Sequence, residues 1–147
     1  MRFMSLSAKE RSRDASRQET AGWDGNVHYD SIIWMDSMAT PGVRFAIHRI
    51  SFGRRMELSR RVRELSRRAE FLEAGAEVHE KIEANILAQE IDAMYLQWGL
   101  ARLDGLTIDG EPASAVQLLE KGPEELAQEV VAAIKRQCGL TEAERKN

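Results

Sequence analysis

The chain holds one cysteine, Cys138, three prolines and few aromatics, 6% of its residues. A single cysteine excludes an internal disulfide, and no Cys/His spacing suited to zinc occurs. There is no run of about 18 apolar residues, so no membrane-spanning helix is expected. The opening MRFMSLSAKERSRD lacks the apolar core of a secretory leader, and a cytoplasmic location is the expectation. The phosphate-binding and nucleophile-elbow patterns G-x-x-x-x-G-K-[ST], G-x-G-x-x-G and G-x-S-x-G are missing. His28, His48 and His79 stand far apart, and the Glu-x-x-His pair of a di-iron bundle is absent, although His79 and Glu83 are one helical turn apart. The residues therefore give no catalytic, metal or cofactor site, and the expectation is a non-enzymatic interaction domain.

At 147 residues, 43% hydrophobic and 31% charged, the chain suits one domain large enough to bury a core. That domain is expected over 29–140. Before it lies a polar, basic arm, 1–28, without periodicity and expected to be disordered; after it lies a polar tail, 141–147. The net charge of −3 hides a split. Residues 1–68 carry 14 basic and 8 acidic side chains, a net of +6, and residues 69–147 carry 7 and 16, a net of −9. Such asymmetry steers association with an oppositely charged surface, the chain's own included, or simply solvates two faces.

The chain is organised around 41–75, PGVRFAIHRISFGRRMELSRRVRELSRRAEFLEAG. Val43, Phe45 and Ile47 alternate with Arg44, Ala46 and His48, the period of a half-buried strand. The run Ile32–Met35, followed by Ala-Thr-Pro-Gly, is expected to pair with it as a hairpin. Ser51 can cap the next helix. There Leu58, Val62, Leu65, Ala69 and Leu72 recur at steps of four and three on one face, and Gly75 is a fitting terminator.

A second helix, 76–98, is apolar on two faces. Leu87, Ile91, Met94, Tyr95 and Trp98 share one; Val78, Ile82, Ile86, Ala93 and Leu96 share the other. A helix of that kind must be covered on both sides, as the most buried helix of the domain or at an interface. LARLDGLTI reads as a small extended segment broken by Asp104-Gly105 and Asp109-Gly110 turns. Ser114 opens a short helix, and Pro123 suits the start of the last. Leu126, Ala127, Val130, Val131, Ile134 and Cys138 make the apolar face of that last helix, so Cys138 reads as an inert core thiol. The expected fold is mostly α, of the α+β class: a small N-terminal β-hairpin followed by a compact bundle of about four helices.

The strongest positive signal is the arginine-rich helix, with seven arginines between 54 and 68. Arg60, Arg63 and Arg67 project from the apolar stripe, Arg61 and Arg68 flank it, and Met56 and Phe71 lie off it. Phosphate binding is one use of such a face. The other is a protein partner, because arginine and exposed apolar groups are enriched at interfaces. Local pairs, Glu57–Arg61, Arg60–Glu64, Glu64–Arg67 and Glu64–Arg68, would neutralise part of the charge. The acidic remainder of the chain repels a polyanion and favours the protein partner. Arg60, Arg61, Arg63, Arg67, Arg68 and Phe71 are the candidate partner-binding residues.

The pattern VRFAIHRISFGRRMEL followed by RRVRELSRRAEFLEAG resembles the tail assembly chaperones of long-tailed bacteriophages and prophages. EIDAMYLQWGL, LTIDGEPAS and LLEKGPEELAQEVVAAIKRQCGL are similar in arrangement to the later helices of that family. The resemblance covers about 41–147, and 1–28 has no counterpart in it. It implies a non-enzymatic factor of the bacterial cytoplasm that binds the tape measure protein, keeps it soluble and helps recruit tail tube subunits. No catalytic residue or cofactor is carried over. A small nucleic-acid-binding regulator acting through 54–68 and a structural tail or neck subunit are the alternatives.

Overall fold

In a computed structural model of the chain, the described residues are 25–74 and 77–139. Most of the arm, the tail 141–147 and Gly75 lie outside them. The chain divides into two units, Met1–Ser31 and Ile32–Asn147. In the first, the described residues 25–31 form no helix or strand.

The second unit starts with the expected hairpin. β1 (Ile32–Asp36) pairs antiparallel with β2 (Arg44–His48), in the register Trp34 opposite Ala46. A third strand, β3 (Leu100–Asp104), joins the free edge of β2 antiparallel, so β2 is central. A shift between Ala46 and Ile47 marks a bulge in that second pairing. Val43, Phe45 and Ile47 face the core as the alternation requires. Ala46, expected on the wet face, is 0% exposed. It is small, and beside it the Arg44 guanidinium lies over the Trp34 ring at 5.1 Å. Arg44 also pairs with Asp36 at 3.1 Å. Gly105 closes the turn after β3 with φ +86°, and a Cβ there would meet the Gly42 carbonyl oxygen at 2.5 Å. Only glycine meets both demands.

Two long helices stand between β2 and β3. α1 (Phe52–Glu73) is capped by Ser51, whose Oγ accepts from the Arg54 amide at 3.2 Å. α2 (Val78–Gly99) returns along it as an αα-hairpin. Leu58, Val62 and Leu65 of α1 meet the main core with Ile91, Met94, Tyr95 and Trp98 of α2. Farther out, Ala69, Ala84 and Leu87 are buried outside that core, where small side chains let the two helices approach.

A two-stranded ribbon follows, β4 (Thr107–Ile108) and β5 (Glu111–Pro112). Its two-residue loop, Asp109-Gly110, has positive φ at both positions, 53° and 82°, as a type I′ turn requires. α3 (Ala115–Lys121) opens on a full capping box. Ser114 Oγ accepts from the Gln117 amide, and the Gln117 side chain accepts from the Ser114 amide. α4 (Glu124–Gln137) starts just after Pro123, with Glu124 and Glu125 in its first turn and Lys135 and Arg136 in its last, both favourable to its dipole.

The domain is thus a helix-dominated α+β fold, with four helices and a small antiparallel sheet among the described residues. No helix among the described residues is long and apolar enough to cross a membrane. Two tethers hold its C-terminal half. The Glu129 carboxylate of α4 accepts from Ser37 Oγ at 2.5 Å and from the Met38 amide at 2.7 Å, and so locks the β1–β2 connection. Lys135 pairs with Asp92 of α2 at 2.5 Å and lies 5.3 Å from the Tyr95 ring centroid.

One expectation is corrected. The second helix buries the most residues among the described helices, but not the largest share of its length. α2 buries 6 of its 22 residues and α4 buries 5 of its 14. Of the two apolar faces of α2, the one carrying Leu87, Ile91 and Tyr95 is covered along its length. The opposite face is covered only near its C-terminal end, at Leu96, where α3 and α4 pack. Its N-terminal half is open: Val78 is 73% exposed, Ile82 54% and Ile86 44%. Length explains it. A 22-residue helix is about 33 Å long and a 14-residue helix about 21 Å, so the C-terminal helices cannot reach the whole face.

Candidate partner-binding surface

The αα-hairpin presents every residue that the sequence singled out. Arg60, Arg61, Arg63, Arg67, Arg68 and Phe71 are all exposed. They do not form one patch. Positions 60, 64, 67 and 71 recur at steps of four, three and four, so Arg60, Glu64, Arg67 and Phe71 share the outward face of α1. Phe71 is 79% exposed there, at the end of the row. Arg61 and Arg68 turn to one side of the hairpin, and Arg63 turns to the other.

Of the charge pairs that the spacing allows, Glu57–Arg61 forms, with Arg61 Nη2 at 2.7 Å from Glu57 Oε1. No salt bridge joins Glu64 to Arg60, Arg67 or Arg68. A lone exposed pair of this kind contributes about 0.3–0.5 kcal/mol. Among the described residues, most of the positive charge of α1 therefore has no ion-pair partner.

Arg54 serves the fold instead. Its guanidinium stacks on the Trp98 ring, 4.0 Å from the centroid, and Nη2 donates to the Trp98 carbonyl at 2.6 Å. That carbonyl belongs to the last turn of α2, where helix carbonyls lack partners along the helix and a cation is favourable. Burial pulls the Arg54 pKa down from its ordinary value. Burial, and next the Arg54 charge, also pull the His48 imidazole below its usual value. Glu57 sits beside this stack. The indole N–H of Trp98, short of full hydrogen-bond geometry, and then Arg61 hold its carboxyl below the ordinary range. An open cleft of about 390 Å³ lies here, lined by Arg61, Glu90, Ala93, Met94, Gln97 and Trp98.

The other exposed surface of the hairpin is the outer face of α2. Val78, Ile82 and Ile86 follow at steps of four and form an aliphatic stripe. Glu83 and Glu90 flank it on one side. α1 carries 7 arginines and 4 glutamates, and α2 carries 4 carboxylates and one lysine, so the two helices have net charges of +3 and −3. The hairpin therefore offers a basic outward face and an acidic, apolar one. The sequence showed the second stripe of α2 but placed no binding residue on it. Its signal was the double periodicity, which fits a covered helix and an interface equally.

Among the described residues no group of three or more His, Cys, Asp or Glu side chains is placed to hold a metal ion. Cys138 is 2% exposed, and burial pushes its thiol up from the ordinary value, away from the reactive thiolate. No family model, curated protein or solved structure matches the chain.

Proposed function

We propose that the chain is a non-enzymatic tail assembly chaperone of a bacteriophage or prophage, acting in the bacterial cytoplasm. It binds the tape measure protein and helps recruit tail tube subunits through the αα-hairpin. The observation that carries this reading is the exposed stripe Val78, Ile82 and Ile86 on a hairpin that also presents Arg60, Arg67 and Phe71. Three aliphatic side chains in a row on one exposed helix face mark an interaction surface, because burying each one fully is worth about 1.5–3 kcal/mol. A factor that keeps a long helical partner soluble needs such a surface. The resemblance over 41–147 supplies the identity of that partner.

The acidic flank of the stripe disfavours a nucleic acid on the same hairpin. Reversing Arg60, Arg63 and Arg67 to glutamate is expected to leave the fold intact, because all three are exposed and unpaired among the described residues. It is expected to abolish co-purification with a co-expressed tape measure protein. The wild type is expected to bind duplex DNA weakly and with a shallow salt dependence. Tight DNA binding that falls steeply with salt, with no capture of the tail protein, would contradict the proposal and favour a nucleic-acid-binding regulator.

A further inference from the structure

On the side of the hairpin away from Arg61 and Trp98, α1 and α2 leave an open groove of about 350 Å³. Arg55, Leu58, Ser59, Val62, Arg63 and Tyr95 line it. Its floor is apolar: Leu58 and Tyr95 are anchored in the core, and Val62 is half-buried against it. Its rim is basic. Arg55 and Arg63 are eight residues apart on α1, about 12 Å along the helix. Among the described residues neither guanidinium has an ion-pair partner and no carboxylate lines the groove. The nearby Lys135 and Asp92 neutralise each other. The opening therefore keeps a positive charge over a greasy floor.

Each class of occupant meets that combination differently. A phosphate backbone would neutralise the arginines and leave the apolar surface around half-buried Val62 uncovered. An acidic amphipathic helix meets both demands. Apolar residues at steps of three and four seat in the floor, and carboxylates two turns apart reach the two rim guanidinia, which take carboxylates bidentately.

We propose that the groove between α1 and α2 receives an acidic amphipathic helix of the partner protein, with its apolar residues on Leu58, Val62 and Tyr95 and its carboxylates on Arg55 and Arg63. This rests on the reading of the chain as a protein-binding factor, and it names the chemistry of the segment bound.

The test titrates the full-length chain with two labelled helical peptides of equal length and with a duplex DNA oligomer. Both peptides carry leucines at i, i+3, i+4 and i+7; one is flanked by glutamates, the other by lysines. At physiological salt the acidic peptide is expected to bind at least about tenfold tighter than the basic one, the scale of two lost charge-assisted contacts. The double variant Arg55→Glu, Arg63→Glu is expected to reverse that order. Arg102→Glu with Lys121→Glu, both exposed and outside the hairpin, is expected to change it by less than about twofold, the residue of screened long-range charge. Equal binding of the two peptides would overturn the proposal, as would an equal loss from the two double variants. DNA binding tighter than peptide binding and lost in the Arg55/Arg63 variant would make the groove a nucleic-acid site. Self-association of the wild type that the same variant abolishes would assign the groove to a second copy. The outcomes also separate the two readings. Capture of the tape measure protein by the Arg55/Arg63 variant as well as by wild type would remove the groove and leave the chaperone. The peptide preference without any tail-protein capture would keep the groove and remove the chaperone.

Discussion

Replacing Ile91 with alanine is expected to destabilise the protein by about 2–5 kcal/mol, the range for a large aliphatic removed from a packed core. Ile91 is 7% exposed and belongs to the main apolar core. Nine residues earlier on the same helix, Ile82→Ala is expected to change stability by less than about 0.5 kcal/mol, as surface substitutions do. Both residues are isoleucines on α2, so the contrast isolates burial from helix propensity. Denaturant midpoints of the two variants beside wild type, read at constant m, give the result. A loss at Ile82 comparable to that at Ile91 would show that the outer stripe is already covered in the isolated chain. It would then not be held open for a partner.

The second large effect is at Glu129. Its carboxylate accepts from the Ser37 hydroxyl and from the Met38 amide, and the Ser37 oxygen in turn accepts from the Thr40 amide at 2.9 Å. Glu129→Gln places an amide NH₂ where an oxygen is required, so one of these donors loses its acceptor. The expected cost is about 1.5–3 kcal/mol at neutral pH, the range for hydrogen bonds to a charged group. The cost depends on pH with a definite sign. Burial alone would raise the Glu129 pKa, but the Ser37 hydroxyl and the Met38 and Ala39 amides outweigh it and hold the carboxyl below its ordinary 4.5. A carboxylate lowered by folding contributes fully above the unfolded value and loses its contribution as pH falls through the folded one. The stability gap between wild type and Glu129→Gln is therefore expected to be constant from pH 7 to about 5.5 and to shrink below about 4.5. A gap that widens in acid would mean that the carboxyl is raised, with desolvation as the stronger cause.

Much of this architecture was legible in local pattern. The alternation of Val43, Phe45 and Ile47 gave the central strand, and Ser51 and Ser114 gave two helix starts, because caps act within three residues. The Asp109-Gly110 loop followed from glycine's tolerance of positive φ. What the pattern missed is what acts across sequence distance. Glu129 holds a turn 92 residues away, and Arg54 reaches a carbonyl 44 residues away; nothing beside either residue announces it. LARLDG read as extended, but its pairing with β2 is a tertiary fact. Ala46 is buried although its position in the alternation is polar; it is small and stands opposite Trp34, whose ring carries the Arg44 guanidinium. The candidate surface was half legible. The outward arginines followed from helical projection, whereas the open stripe of α2 depended on how far the shorter C-terminal helices extend.

The central claim is that the αα-hairpin is the surface that meets the partner. Amide hydrogen exchange of the full-length chain, alone and in complex with the tape measure protein, tests it most directly. New protection is expected over about 55–93, on both helices of the hairpin, with the sheet and α4 unchanged. Protection confined to the sheet, or a complex that leaves 55–93 exchanging as in the free chain, would contradict the account.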